Sequence, residues 1–370
     1  MKKSIINVLI GLAVTSCGQP KQVSIEKEMP RYSPEAETLL TNLKELPNKG
    51  YMFGHHDDTN YGIGWEFEEG RSDVQSVCGD YPGVISFDLG HVELGDSVTL
   101  DKVPFDKVRK EIINQYNRGG MVALSWHLDN PMTDGDSWDV SDTTVVASIL
   151  PGGDKHEKFM GWMGRLADFL NSLQTADGTK VPVLFRPWHE HTGSWFWWGR
   201  KLCSTEQYKA LWRMTYDFLQ KEEANHVLYA YSPGTEFTDS TSYLERYPGD
   251  DIIDLVGFDT YQSASRDFYV EKARKALGIL TEVAKAHDKA MALTETGFEG
   301  VKDPMWWTGT LAEVLEGYPV SYVLVWRNAR EKVTHFYAPY PGQESANDFV
   351  TFYNDSTTLF AADVKEILYK

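Results

Sequence analysis

The chain has little cysteine. Its three residues, Cys17, Cys78 and Cys203, supply no CxxC pair and no cysteine–histidine spacing for a structural zinc site. A chain of this length does not need a disulfide framework to hold a core, and nothing in the sequence says that Cys78 and Cys203 pair. Positive charge is also short: 36 lysines and arginines stand against 54 acids, a formal net charge of −18. That balance argues against nucleic acid and anionic polysaccharide as partners, since like charges repel, and a neutral substrate fits better. HExxH, GxGxxG, P-loop and GxSxG strings are all absent. Zinc-hydrolase, nucleotide-cofactor and serine-elbow chemistry therefore lack their signatures. No Pro/Ser/Gly-rich linker divides the interior and no repeat recurs, so residues 31–370 are expected to form one domain.

Long apolar runs are missing as well. The stretch 5–14 follows Lys2-Lys3 and is too short to span a bilayer. It leads into Val14-Thr15-Ser16-Cys17. A basic start, an apolar stretch and small residues read as a secretory signal over residues 1–16. A cysteine at its end looks like a bacterial lipobox, so Cys17 is expected to be lipidated, with residues 17–30 as a polar tether. Residues 1–16 hold two lysines and no acid, so without them the charge moves from −18 to −20. No acidic run follows Cys17, which leads us to expect an outer-membrane lipoprotein facing the periplasm.

What the chain does have is alternation. Short β-rich runs at 50–53, 84–88, 121–126, 183–185, 227–231, 255–259, 291–294 and 322–326 are separated by amphipathic stretches at 34–45, 105–117, 156–175, 206–223, 268–287 and 311–317. Several runs are apolar throughout, as parallel strands covered on both faces must be. The pattern predicts a single (β/α)8 TIM barrel. Most runs end on a polar or aromatic group, and barrel active sites lie at the C-terminal ends of the strands. The segment 130–154, rich in Asp, Gly and Pro, is expected to be an extended loop on that face.

Two of these ends carry glutamates. The fourth run leads into Arg186-Pro187-Trp188-His189-Glu190-His191-Thr192-Gly193-Ser194-Trp195-Phe196-Trp197-Trp198-Gly199. Indole faces suit the apolar C–H faces of sugars, and an apolar wall raises a carboxyl pKa, so Glu190 is a candidate proton donor. The plainer alternative is that the aromatics fill core and Glu190 pairs with Arg186. The seventh run ends in Thr294-Glu295-Thr296-Gly297. Glu190 and Glu295 are 105 residues apart, or 35 per βα unit, so strands four and seven can face both across one barrel mouth. A retaining glycosidase sets two carboxyls about 5–5.5 Å apart; we expect that spacing, with Glu295 as nucleophile and Glu190 as acid/base. A rim salt bridge of Glu295 with Arg327 is the alternative.

The strand-four motif and the later Thr-Glu-Thr-Gly resemble glycoside hydrolase family 26, whose best-known members are β-mannanases. The likeness extends from Gly54-His55-His56-Asp57 to Trp326-Arg327. It implies a clan-A retaining barrel with the same two roles for Glu190 and Glu295. It also implies sugar contacts from His127, His189, Trp195, Tyr261, Trp326 and Arg327, with Tyr261 touching the nucleophile. The expected substrates are β-mannan, galactomannan, glucomannan and their oligosaccharides. Mixed-linkage glucan or β-1,3-xylan, and a non-catalytic glycan-binding lipoprotein, are the alternatives. On extended backbone His189 and His191 point to opposite sides, so they are not expected to chelate, and no metal or cofactor is expected. The pair Trp306-Trp307 and the 130–154 loop are candidates for closing one end of the cleft.

Overall fold

The computed structural model describes residues 30–370. The expected signal, the tether up to residue 29 and Cys17 lie outside the described residues. Residues 31–370 form one compact unit, built on eight parallel strands: β1 (Tyr51–His56), β2 (Val84–Asp88), β3 (Met121–Ser125), β4 (Val183–Arg186), β5 (Val227–Tyr231), β6 (Leu255–Tyr261), β7 (Ala290–Gly297) and β8 (Tyr322–Val325). Each pairs with the next, and β8 returns to β1 with Met52 opposite Tyr322, which closes the barrel.

The alternation of side chains along each strand divides the core in two. Met52, Val84, Met121, Ala123, Leu184, Leu228, Leu255, Ala292 and Leu324 point inward and pack together at the base. Helix Pro34–Glu45 plugs that base with Ala36, Leu39 and Leu43. Its start is fixed by Ser33, whose hydroxyl accepts from Ala36 N at 3.2 Å, and by Pro34 in the first turn. The alternate residues Phe53, Phe87, Leu124, Phe185, Phe258 and Leu293 point outward into the helices.

Helices Phe105–Arg118, His156–Asn171, Thr205–Lys221 and Arg266–His287 form the main crossovers. Ser204 and Gln207 form a capping box on the third of these, and Gly119 ends the first at φ 94°. Two crossovers have no long helix. Asp73–Cys78 is the only helix between β1 and β2, and Ser240–Tyr243 the only one between β5 and β6. Neither is long enough to show a helical period, which is why the sequence did not announce them. The 311–317 expectation resolves into a π turn, Trp307–Leu311, followed by Ala312–Leu315. Within 130–154 a short helix, Val145–Ile149, forms.

Trp306 and Trp307 are both fully buried, with Trp307 against Phe53 and Phe349, so they wall no cleft. Among the described residues Cys78 and Cys203 are unpaired.

Candidate active site

Where the strands end at the mouth, the inward positions turn polar. Asp88 on β2, Arg186 on β4, and Asp259 and Tyr261 on β6 continue the inward rows that are aliphatic below. They lie around a cavity of about 580 Å³ whose lining includes Glu190, Glu295, His127, His189, Tyr261 and Trp326. Trp195 lines it too, while Arg327 does not.

Glu295 reaches this cavity only through an irregularity. In strict alternation Ala290, Ala292 and Thr294 face inward and residue 295 faces the helices. Pairing between β6 and β7 slips one residue, from Phe258 opposite Leu293 to Asp259 opposite Glu295. The resulting bulge turns both Thr294 and Glu295 to the interior. Gly257 makes room for it: a Cβ there would lie 2.4 Å from Thr294 Cγ2. Arg186 then donates one guanidinium nitrogen to Glu295 and another to Asp259. Asp259 is held in turn by Ser232 Oγ at 2.8 Å and Thr294 Oγ1 at 2.7 Å. The Tyr261 hydroxyl donates to the other oxygen of Glu295 at 2.5 Å. Both oxygens of Glu295 are therefore oriented by donors, one of them cationic.

Glu190 sits in a different setting. Its protein hydrogen bond comes from Trp195 Nε1 at 2.7 Å, and Arg186 pairs with Asp259 and Glu295 instead. Burial, then the charges of Asp259 and Glu295, push the Glu190 carboxyl well above its ordinary range; Arg186 and the Trp195 bond offset this only in part. The two salt bridges considered as plain alternatives, Arg186–Glu190 and Glu295–Arg327, are both absent among the described residues.

His127 and His189 meet across the cavity, Nε2 to Nε2 at 3.1 Å. Asp88 accepts from His127 Nδ1 at 2.6 Å and is itself held by Ser125 Oγ and Gly90 N. Burial pulls His127 down, but the charge of Asp88 and the bond to it leave the imidazole above its ordinary pKa. Burial, Arg186 and His127 hold His189 well below. His191 lies on the far side of the strand end, packed between Tyr208 and Tyr231, so His189 and His191 share no ion. Trp326 stacks on His56 with centroids 4.1 Å apart.

The dense indole cluster is mostly core. Trp188, Trp197 and Trp198 are fully buried, their ring N–H groups donating to Thr215 Oγ1, Leu128 O and His189 O. Of the run's indoles Trp195 lines the cavity, beside Phe196. A buried indole needs a hydrogen-bond acceptor; a helix hydroxyl supplies it for Trp188 and main-chain carbonyls for Trp197 and Trp198. A functional residue that sequence reasoning missed is Trp138, which stands 57% exposed on the 130–154 loop, its ring centre 4.7 Å from that of Phe196, and lines the cavity. Its one signal was an indole in a segment otherwise rich in Asp and Gly.

Arg327 lies beside the cavity, between Glu331 at 2.7 Å and Asp101 at 3.3 Å. His56, Asp57 and Asp101 bring donor atoms within 4.8 Å of one another. Asp57 is already bonded by Asn60 Nδ2 and Tyr61 OH, each at 2.7 Å, and the Arg327 guanidinium supplies the counter-charge for Asp101. The cluster is an ion-pair wall rather than a vacant ligand set.

Residues 29–302 match the model of Glycosyl hydrolase family 26. The chain belongs to this family. Its fold is also that of solved family-26 structures. A GH26 β-mannanase from Bacteroides ovatus is 62% identical, covers 91% of this chain and 98% of its own, and superposes with a TM-score of 0.90. A modular endo-β-1,4-mannanase from Cellulomonas fimi is 31% identical with a TM-score of 0.83, over 92% of this chain and 78% of its own. Among sequences, a mannan endo-1,4-beta-mannosidase from Bifidobacterium adolescentis is 32% identical over 352 residues, 89% of this chain. The chain spans only 35% of that relative's length, and 57% of a Caldalkalibacillus mannanilyticus mannan endo-1,4-beta-mannosidase that is 26% identical over 81% of this chain.

Proposed function

We propose that this family-26 barrel is a retaining endo-β-1,4-mannanase acting on β-mannan, galactomannan, glucomannan and their oligosaccharides. One observation carries the reading: a single cavity holds two glutamates in opposite electrostatic settings, Glu295 paired with Arg186 and Tyr261, Glu190 without a cation of its own. Such a split separates nucleophile from acid. The mannanase names of the relatives above support the choice of glycan.

In the first step Glu295 attacks the anomeric carbon. The bond to the leaving sugar breaks, and its oxygen takes the proton of Glu190. In the second step Glu190, now ionised, takes a proton from water. The water oxygen attacks the same carbon, and the ester to Glu295 breaks. His189 is aimed at the 2-hydroxyl, with His127 behind it. Trp326 and Trp195 are the platforms on either side of the cleaved bond, Tyr261 orients Glu295, and Arg327 lies further along the chain path. We also propose that Cys17 carries a lipid anchor holding the enzyme in the outer membrane, facing the periplasm; residues 1–17 support this.

NMR of mannotetraose or mannan early in turnover should give the β anomer first, and Glu190→Ala should abolish mannan turnover. An α anomer first, turnover unchanged in Glu190→Ala, or stronger cleavage of mixed-linkage glucan or β-1,3-xylan than of mannan would overturn the proposal.

A further inference from the structure

The backbone that carries Glu190 is held in an unfavourable shape. Trp188 and Glu190 both have positive φ, 55° and 51°, a region that costs energy for any residue with a side chain and persists only where surroundings over-determine it. Here four successive carbonyls are each held by a different donor. Trp188 O accepts from Tyr208 OH at 2.7 Å, His189 O from Trp198 Nε1 at 2.8 Å, Glu190 O from Gly193 N at 3.0 Å, and His191 O from Arg246 Nη1 at 3.3 Å. Glu190 N donates to Ser232 O at 2.8 Å.

Two of these donors come from outside the loop and form one unit. Tyr208 is in the first turn of Thr205–Lys221, and Arg246 lies in the β5–β6 connection. The Arg246 guanidinium sits 4.6 Å from the centre of the Tyr208 ring. Arg246 is buried, yet main-chain carbonyls satisfy it: besides His191 O, it donates to Cys203 O at 2.6 Å and Ser204 O at 3.1 Å. A buried guanidinium without a carboxylate is expensive to keep, and it grips both ends of the 191–204 loop. Among the described residues the Glu190 side chain is bonded only by Trp195 of that same loop, so its position depends on the main chain beneath it.

We propose that Arg246 and Tyr208 are positioning residues that hold the 188–191 backbone in its left-handed turns and so aim the Glu190 carboxyl at the leaving oxygen. This rests on Glu190 being the acid/base. Neither residue lines the cavity.

The test compares kcat/KM on two substrates. Mannotetraose has a leaving sugar that needs a proton; 2,4-dinitrophenyl β-mannobioside has a leaving group that does not. Tyr208→Phe and Arg246→Lys should each lose about ten-fold on mannotetraose. They should lose less than about two-fold on the aryl glycoside, where proton transfer no longer contributes to the first step. KM for mannotetraose should stay unchanged. Equal losses on both substrates, or no loss on either, would overturn the proposal. Glu190→Ala is the reference. If it lacks the leaving-group dependence, the acid/base assignment itself fails; if it has the dependence and the other two variants do not, only the positioning claim fails. Circular dichroism and melting confirm folding. Should Arg246→Lys not fold, Tyr208→Phe, which removes one oxygen, decides alone.

Discussion

The two glutamates of this barrel are presented in opposite ways. Glu295 is part of a strand, turned inward by a bulge and then held through its own side chain by Arg186 and Tyr261. Glu190 is on a loop in left-handed backbone, held through main-chain carbonyls, with a single indole on its carboxyl. On the roles proposed above, the difference follows from what each must do. A nucleophile can sit in an ion pair because it reacts as an anion. An acid cannot, because a cation beside it would draw off its proton. Its position must then come from the backbone.

The sharpest way to break this contrast is to remove the cation. Arg186→Met leaves Asp259 and Glu295 buried together without a counter-charge. We expect kcat/KM to fall by about 10²–10³, the scale of losing one preorganised charged contact. The loss should be similar for mannotetraose and for 2,4-dinitrophenyl β-mannobioside, since the proposed first step needs attack by Glu295 on both, whether or not the leaving group needs a proton. Kinetics on the two substrates check this. A loss confined to mannotetraose would mean that Arg186 serves the acid instead.

That contrast was only half legible in the chain. The barrel and its strand ends were readable, because eight short β-rich runs alternate with amphipathic stretches, six of them clear in the sequence. Each expected run overlaps a strand, and the polar end-residues converge on one mouth. The bulge at Thr294 was not readable. A register slip depends on pairing with a neighbouring strand, and its one trace is Gly257, 37 residues upstream of Thr294. Arg186 looked like the residue that ends a strand, because its two acidic partners lie on other strands. The indoles misled for a physical reason. A tryptophan that packs a barrel wall and one that meets a sugar have the same composition signal. What separates them is the setting each ring is folded into: Trp197 and Trp198 bond main-chain carbonyls inside the core, while Trp195 bonds the Glu190 carboxylate at the cavity.

A smaller effect sharpens the acid side. The Trp195 N–H bond favours the ionised form of Glu190. Trp195→Phe keeps an aromatic face and removes the donor, so the Glu190 carboxyl should hold its proton to higher pH. The alkaline limb of kcat/KM against pH, which reports the free enzyme's acid, should move up by about half a unit to one unit, worth roughly 0.7–1.4 kcal/mol. A limb that stays put or moves down would show that the indole does not tune this carboxyl.

The smallest effect is on stability and has a definite sign. In the unfolded chain a glutamate ionises near pH ~4.3; in the fold Glu190 keeps its proton well above that. Between those two values the unfolded state releases a proton that the folded state retains. Stability therefore falls as pH rises through that window and stays lower beyond it. Glu190→Gln has nothing to ionise and retains an oxygen to accept from Trp195. Its Tm should match the parent's at about pH 4 and exceed it by about 2 °C at pH 7, the shift expected of roughly 1 kcal/mol in a domain of this size. Glu295→Gln makes the opposite case. It takes a partner from the buried Arg186 pair and should lower Tm at pH 7, since breaking one side of a buried ion pair costs more than the pair itself contributes. Melting curves of both variants across pH 4–8 should therefore diverge in opposite directions from the parent; a Glu190→Gln protein less stable at pH 7 than at pH 4, relative to the parent, would mean that the acid is not held against its charge.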